Sequence, residues 1–157
     1  MALDSKLKDT AYIHECGWGK ILGHLRKQFE QWAMERFAQK GYKGFKMAYM
    51  PVIMNIDMHG TNNNDLANRA QVTKQAMSKV VKELQKSGYI SSRQDSKDKR
   101  SVIFTLTAKG KDFILGARAS VADLMNEYRK ELGKKNYEDL LNKLVSIIEY
   151  NDKKLNG

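Results

Sequence analysis

Gln75, Ser78, Lys79 and Lys82 follow one another at steps of three, one and three, the repeat that gathers side chains on one face of an α-helix. An amide offers a donor and an acceptor side by side, a hydroxyl serves as either, and an ammonium brings three donors and a positive charge. Thr73 and Lys74 stand just before this set, and Arg93, Lys97, Asp98, Lys99 and Arg100 form a second polar group downstream. Such groups suit hydrogen bonding to flat, donor-and-acceptor edges and neutralisation of anions. Glutamine can make a bidentate contact to adenine, and lysine reaches guanine edges or phosphates.

Electrostatics points the same way. The chain carries 28 Lys and Arg against 18 Asp and Glu, a net charge of +10. Residues 69–112 hold eleven of the cations and four of the acids, so most of the excess lies in under a third of the sequence. A localised basic patch is the footprint of a polyanion partner. Charge alone is equally well explained by a solvated face, and the motif around it decides between the two. Catalysis has little support. His14, His24 and His59 are the only histidines, with no His-x-x-x-His or Cys-x-x-Cys spacing, no glycine-rich phosphate loop and no nucleophile elbow. Neither a metal nor another cofactor is expected, and the chain does not read as an enzyme.

The elements that must carry these side chains are legible in order. Asn62 is a good N-cap, with Asp65 placed to return a bond to it, so a helix is expected over residues 63–70. Gln71 and Val72 interrupt it. Thr73 then caps a second helix whose Met77, Val80, Val81 and Leu84, joined by Ala76 on the same arc, form a stripe to bury. Lys74, Gln75, Ser78, Lys79, Lys82, Gln85 and Lys86 take the opposite arc. Gly88 can end this helix at a left-handed C′ position. Residues 89–93 read as a strand, 95–100 as a charged turn, and 101–105 as the returning strand of a two-stranded hairpin. A further helix starts at Thr107.

The pattern Asp65-Leu66-Ala67, Val72-Thr73-Lys74-Gln75, Val80-Val81, Leu84, Gly88-Tyr89-Ile90, Arg93, Asp98-Lys99-Arg100, Leu106-Thr107 and Gly110 resembles the MarR family of winged helix-turn-helix transcriptional regulators. Residues 44–60 also fit that family's second helix in length, with Pro51 in the middle. The resemblance implies a mainly α fold with a small two-stranded antiparallel wing. It implies one domain over 1–157, in which 1–44 and 113–157 form a helical dimerisation region and 45–112 a winged helix-turn-helix lobe that binds double-stranded DNA. Thr73, Lys74, Gln75, Ser78, Lys79, Lys82, Arg93, Lys97, Asp98, Lys99 and Arg100 are the expected DNA-binding residues. Arg100 is the candidate for insertion into a narrow minor groove, with Asp98 orienting it. The plain alternative for that pair is a surface salt bridge.

The rest of the chain supplies a body. With 157 residues and 41% hydrophobic content there is enough for a core. No signal peptide and no apolar run of about 18 residues is apparent, and a lone cysteine suits a reducing compartment, so a cytoplasmic protein with no membrane partner is expected. A long helix over roughly residues 15–39 precedes the motif. Two more follow the motif: from Thr107 onward Phe113, Ala117, Val121, Leu124, Tyr128 and Leu132 recur at helical steps, and Tyr137, Leu140, Leu141, Leu144 and Ile148 follow after Gly133. Their apolar faces exceed what a small winged lobe can cover, so self-association as a homodimer is inferred, with Leu3 and Leu7 extending the interface. A two-fold dimer favours a pseudo-palindromic DNA site.

Two features bear on regulation. Met47, Met50, Met54 and Met58 recur at helical spacing, and such a face serves either a packed core or a ligand-lined cavity. With Trp18, Leu22 and Phe29 it outlines an effector pocket of the kind the resemblance implies for small aromatic or phenolic molecules, centred on Trp18, Leu22, Met50 and Met54. Cys16 reads either as an inert thiol or, by the same resemblance, as a redox switch that His14 and Lys20 would favour and Glu15 oppose. The expected function is a sequence-specific regulator, a repressor in sense. A redox-responsive repressor through Cys16, a non-specific architectural DNA binder and a protein-interaction module are the alternatives. Replacing Arg100 by Ala is expected to weaken duplex binding at least tenfold in a gel shift while leaving the circular dichroism spectrum unchanged; undiminished affinity removes Arg100 from the site.

Overall fold

A computed structural model describes residues 2–11, 17–96 and 101–156, with the side chains of Ala2, Lys74 and Asn156 excepted. In chain order the elements are α1 (Ala2–Asp9), α2 (Trp18–Gln39), a 3-10 turn (Met47–Tyr49) leading into α3 (Met50–Ile53), β1 (Thr61–Asn62), α4 (Asn63–Ala70), α5 (Lys74–Lys86), β2 (Ile90–Gln94), β3 (Val102–Leu106), α6 (Ala108–Leu132) and α7 (Lys134–Asn156). The fold is mainly α with a small antiparallel sheet, as the sequence implied. Contacts divide the chain into two compact units, Met1–Leu115 and Gly116–Gly157, with α6 running through the boundary.

The β2–β3 hairpin forms the expected two-stranded wing, and the sheet extends beyond it. It has three strands in the order β1-β3-β2, with Thr61 opposite Phe104 and Ile90 opposite Leu106. A two-residue strand is too short to show alternation, and Asn62 serves at once as its last residue and as the cap of α4. Thr61 is buried, its hydroxyl accepting from the Asp57 N–H at 2.9 Å.

Residues 44–60 also depart from expectation, because they do not form one helix. Pro51 occupies the first turn of α3, where its missing N–H costs nothing. The helix stops at Ile53, and the Asn55 side-chain amide donates to the Pro51 carbonyl at 2.7 Å. Met47, Met50, Met54 and Met58 therefore share no helical face, and Met58 lies in the following turn, 74% exposed.

The helix-turn-helix forms where its capping chemistry placed it. Asn62 Oδ1 accepts from the Asp65 N–H at 2.9 Å, and Asp65 answers through the Asn62 side-chain amide at 2.8 Å rather than its backbone. Gln71 makes the turn in left-handed conformation at φ 51°. Past α5, Gly88 takes φ 74°, its N–H donating to the Gln85 carbonyl at 2.9 Å while the Tyr89 N–H donates to Leu84 at 3.0 Å. That reciprocal pair ends the helix and turns Tyr89 inward.

Tyr89 belongs to the aromatic centre of the first unit. Phe45 and Phe113 stack with ring centroids 4.0 Å apart, and Phe37, Tyr42, Tyr49 and Tyr89 meet them edge-on at 5.0 to 5.7 Å. Edge-to-face pairs add about 0.5–1.5 kcal/mol each beyond their buried area. Tyr42 also donates to Asp112 at 2.5 Å, and this bond, with burial behind it, pushes the phenol up to about 12.

In the second unit α6 and α7 turn about Gly133, at φ 78°, and the Arg129 guanidinium lies 5.2 Å from the Tyr137 ring centre. Among the described residues no helix is long and apolar enough to cross a membrane.

The tightest approach in the first unit is between α6 and Tyr89. A Cβ on Gly110 would strike the Tyr89 carbonyl oxygen well inside contact distance and meet Leu106 Cδ2 at 3.3 Å. Gly110→Ala is therefore expected to lose about 1–3 kcal/mol, the cost of overpacking, read as a lower midpoint in thermal or urea unfolding; an unchanged midpoint contradicts this packing.

Candidate nucleic-acid interface

Helix α5 is held by one face and presents the other. Met77, Val81 and Leu84 are buried, Val80 partly so, whereas Gln75, Ser78, Lys79, Lys82 and Lys86 are exposed. Ala76, assigned above to the buried arc, is exposed instead, because it stands in the first turn at the edge of the stripe. Thr73 starts the helix, its hydroxyl oxygen accepting from the Ala76 N–H at 3.2 Å. That leaves the hydroxyl proton available to an outside acceptor. The helix N-terminus itself carries partial positive charge.

Beside this face lies the hairpin of β2 and β3, whose pairing continues to the Asp95 N–H donating to the Ser101 carbonyl at 2.9 Å. Arg93 is exposed on β2. Lys97, Asp98, Lys99 and Arg100 lie outside the described residues, as does the side chain of Lys74. Between helix and hairpin runs a cleft of about 310 Å³ floored by Met77, Val81 and Phe104 and rimmed by Ser78, Lys82 and Ser92. Gln85 spans it, donating from Nε2 to Ser92 Oγ at 2.8 Å. Gln85 was read as part of the polar presenting arc; its half-burial and this bond make it a brace between helix and wing.

The cations are not all available to a ligand. Arg69 binds Asp57 at 2.7 Å. Lys109 donates to the Ser87 carbonyl at 2.8 Å with its ammonium 4.5 Å from the Tyr89 ring centre. A lysine at the carboxyl end of α5 also interacts favourably with the negative end of the helix dipole there. The patch offered outward is thus narrower than a count of eleven suggests, and is concentrated on α5 and the hairpin.

One part of the site escaped sequence reading. Glu83, on the flank of α5 away from the wing, accepts from Lys46 Nζ at 2.8 Å and from the Tyr49 hydroxyl on the same oxygen, Oε2. The Lys46 ammonium, and then the Tyr49 hydroxyl, hold the Glu83 carboxyl below its usual range, and Glu83 raises Lys46 in turn. Residues so far apart in sequence give no local signal of such a contact.

The effector-pocket residues fall in different settings. Trp18 and Leu22 lie on α2, 59% and 48% exposed, while Met50 is partly buried at the start of α3 and Met54 is its exposed C-cap. The cleft described above has other walls. Cys16 and His14 lie outside the described residues, and among those described no group of three His, Cys, Asp or Glu is placed to hold a metal ion.

The MarR family pattern matches residues 53–102, from α3 to the start of β3. Over that stretch the chain is similar to the MarR family. A similar curated protein is the HTH-type transcriptional repressor YetL of Bacillus subtilis (strain 168), 27% identical over 99 residues that cover 60% of this chain. The chain spans 59% of that relative's length. Among solved structures, a MarR transcriptional regulator from Methanosarcina mazei Go1 superposes with a TM-score of 0.70 at 20% identity, covering 86% of this chain and 96% of that one. The transcriptional repressor CouR, bound to a 23-mer DNA duplex, gives 0.72 at 21% identity over 88% and 96% of the two chains. At these identities the structural likeness establishes the fold. The MarR-family match and the geometry together locate the helix-turn-helix.

Thr73 tests whether the N-cap shapes this face. Thr73→Ala is expected to cost about 0.5–2 kcal/mol of stability, whereas Thr73→Ser retains the cap and the wild-type unfolding midpoint; equal midpoints for Ala and Thr would remove the cap from the account.

Proposed function

We propose that this chain is a sequence-specific, double-stranded DNA-binding transcriptional regulator, acting as a repressor. The observation that carries the reading is the exposed polar and cationic face of α5, buried on its reverse and flanked by the β2–β3 hairpin. A helix of this width fits the major groove, where Gln75 and Ser78 meet base edges and Lys79 and Lys82 meet bases or phosphates. Thr73, Lys74, Arg93 and the hairpin residues Lys97, Asp98, Lys99 and Arg100 complete the proposed contact set. The relative YetL is a repressor and CouR is held on a DNA duplex, which supports the same reading.

The working unit is a homodimer. Leu3, Leu7, Trp18, Ile21 and Leu25 in the first unit are 77%, 69%, 59%, 49% and 54% exposed, and Val145, Ile148 and Tyr150 in the second are 51%, 59% and 63% exposed. Apolar surface in such amount on amphipathic helices calls for a partner, and a second copy is the economical one. In the proposed dimer, residues 1–44 and 113–157 form the body and 45–112 the DNA-binding lobes. A small aromatic or phenolic effector near Trp18, Leu22, Met50 and Met54 would act by stabilising a lobe spacing that misfits DNA, a shift between existing states.

Selection of bound duplexes from a random pool tests this directly. Enrichment of a pseudo-palindrome with half-sites about one turn, ~34 Å, apart is expected, together with an affinity that falls with salt at a log–log slope of about −0.9 per phosphate neutralised. A steep salt slope with no enriched sequence would instead indicate an architectural binder, and no mobility shift even at low salt would overturn DNA binding altogether.

A further inference from the structure

Hydrophobic burial fixes which face of α5 turns inward but is non-directional, so it tolerates small rotations of the helix about its own axis. Such rotations matter for reading bases. With side chains at a radius of about 5–6 Å, a roll of roughly 20° carries their ends about 2 Å, more than a bidentate hydrogen bond tolerates. Something directional has to hold the roll.

The structure supplies a polar tie on each flank of the buried stripe. On the wing side Gln85 donates to Ser92 at 2.8 Å. On the opposite side Glu83 receives two donors on one carboxylate oxygen, Lys46 Nζ at 2.8 Å and the Tyr49 hydroxyl. Tyr49 is no loose surface group. It is 4% exposed, its ring lies edge-on to Phe45 at 5.3 Å, and the Lys46 ammonium lies 5.5 Å from its centre. Its hydroxyl is therefore presented from a fixed point in the aromatic core. An acid on a helix otherwise lined with Lys79, Lys82 and Lys86 is costly for a surface that meets phosphates, unless its charge is answered and used.

Resting on the DNA-binding reading above, we propose that Glu83, gripped by Lys46 and Tyr49, is a positioning residue that sets the roll of α5 and thereby its discrimination among base sequences. Glu83 touches no base in this account. It acts through Gln75 and Ser78, whose aim it fixes, and Lys46 at the same time cancels its repulsion of the phosphate backbone.

The test compares wild type with Tyr49→Phe, Glu83→Gln, Lys46→Met and Lys46→Arg, each titrated against the duplex selected from the random pool and a scrambled duplex of equal length over a range of salt. The ratio of selected to scrambled affinity is expected to fall at least fivefold in Tyr49→Phe and Glu83→Gln, with scrambled binding undiminished and the phenylalanine variant melting within a few degrees of wild type. Lys46→Met is expected to lower the ratio and Lys46→Arg to restore most of it. A merely electrostatic Glu83 gives another result: in Glu83→Gln both affinities rise together and the ratio holds, which overturns the proposal. An unchanged ratio in Tyr49→Phe, which keeps the buried ring, overturns it equally, even should Glu83→Gln melt early. A wild-type chain with no sequence preference is a separate failure, of the parent reading, seen before any variant is measured.

Discussion

Burial of one side of α5 is the constraint on which the remaining features depend. Met77 and Leu84 are 2% and 0% exposed, and Val81 is 5% exposed. Packing this stripe against the first unit's core leaves the alternate arc no place but solvent, so Gln75, Ser78, Lys79 and Lys82 emerge together. The presenting surface is thus a consequence of core packing and needs no attractive force among its own members, of which the cations Lys79 and Lys82 repel each other.

That packing holds because the carboxyl end of α5 is locked. Gly88 releases the chain from helix, Tyr89 enters the aromatic centre, and its carbonyl receives the Thr107 N–H at 3.1 Å and the Thr107 hydroxyl at 3.0 Å. Thr107 also donates to the Gly88 carbonyl at 2.7 Å and accepts the Gly110 N–H at 3.1 Å as the start of α6. One threonine thereby joins the end of α5, the end of β3 and the beginning of α6. Gly110 is required at this junction because any side chain would occupy the space of the Tyr89 carbonyl. The start of α6 is thus tied to the end of α5 by short, directional bonds as well as by apolar contact.

The cations divide between structure and interface. Lys109 caps the carboxyl end of α5, Arg69 anchors α4 to the turn before β1, and Lys46 answers Glu83. The two ion pairs among these, exposed at the surface, stabilise weakly. Their importance lies in direction, since each restricts the orientation of an element that carries the presenting face. Lys79, Lys82 and Lys86 remain exposed on α5, where desolvation by a phosphate backbone can use them.

Sequence alone determined the features governed by neighbours in the chain. The caps Asn62 and Thr73, the break at Gln71, the exit at Gly88 and the apolar stripe of α5 all rest on interactions within a few residues, and such interactions leave a readable pattern. Tertiary structure decided whatever depends on distant residues meeting. Thr61 and Asn62 became a third strand because β3 lay alongside, the methionine spacing of residues 47–58 lost its meaning once Pro51 and Asn55 confined α3 to one turn, and Gln85 turned from presenting group to brace because Ser92 came within reach. Lys46 and Tyr49 joined Glu83 across 37 and 34 residues, a contact that spacing cannot announce because only the closed chain brings donor and acceptor together.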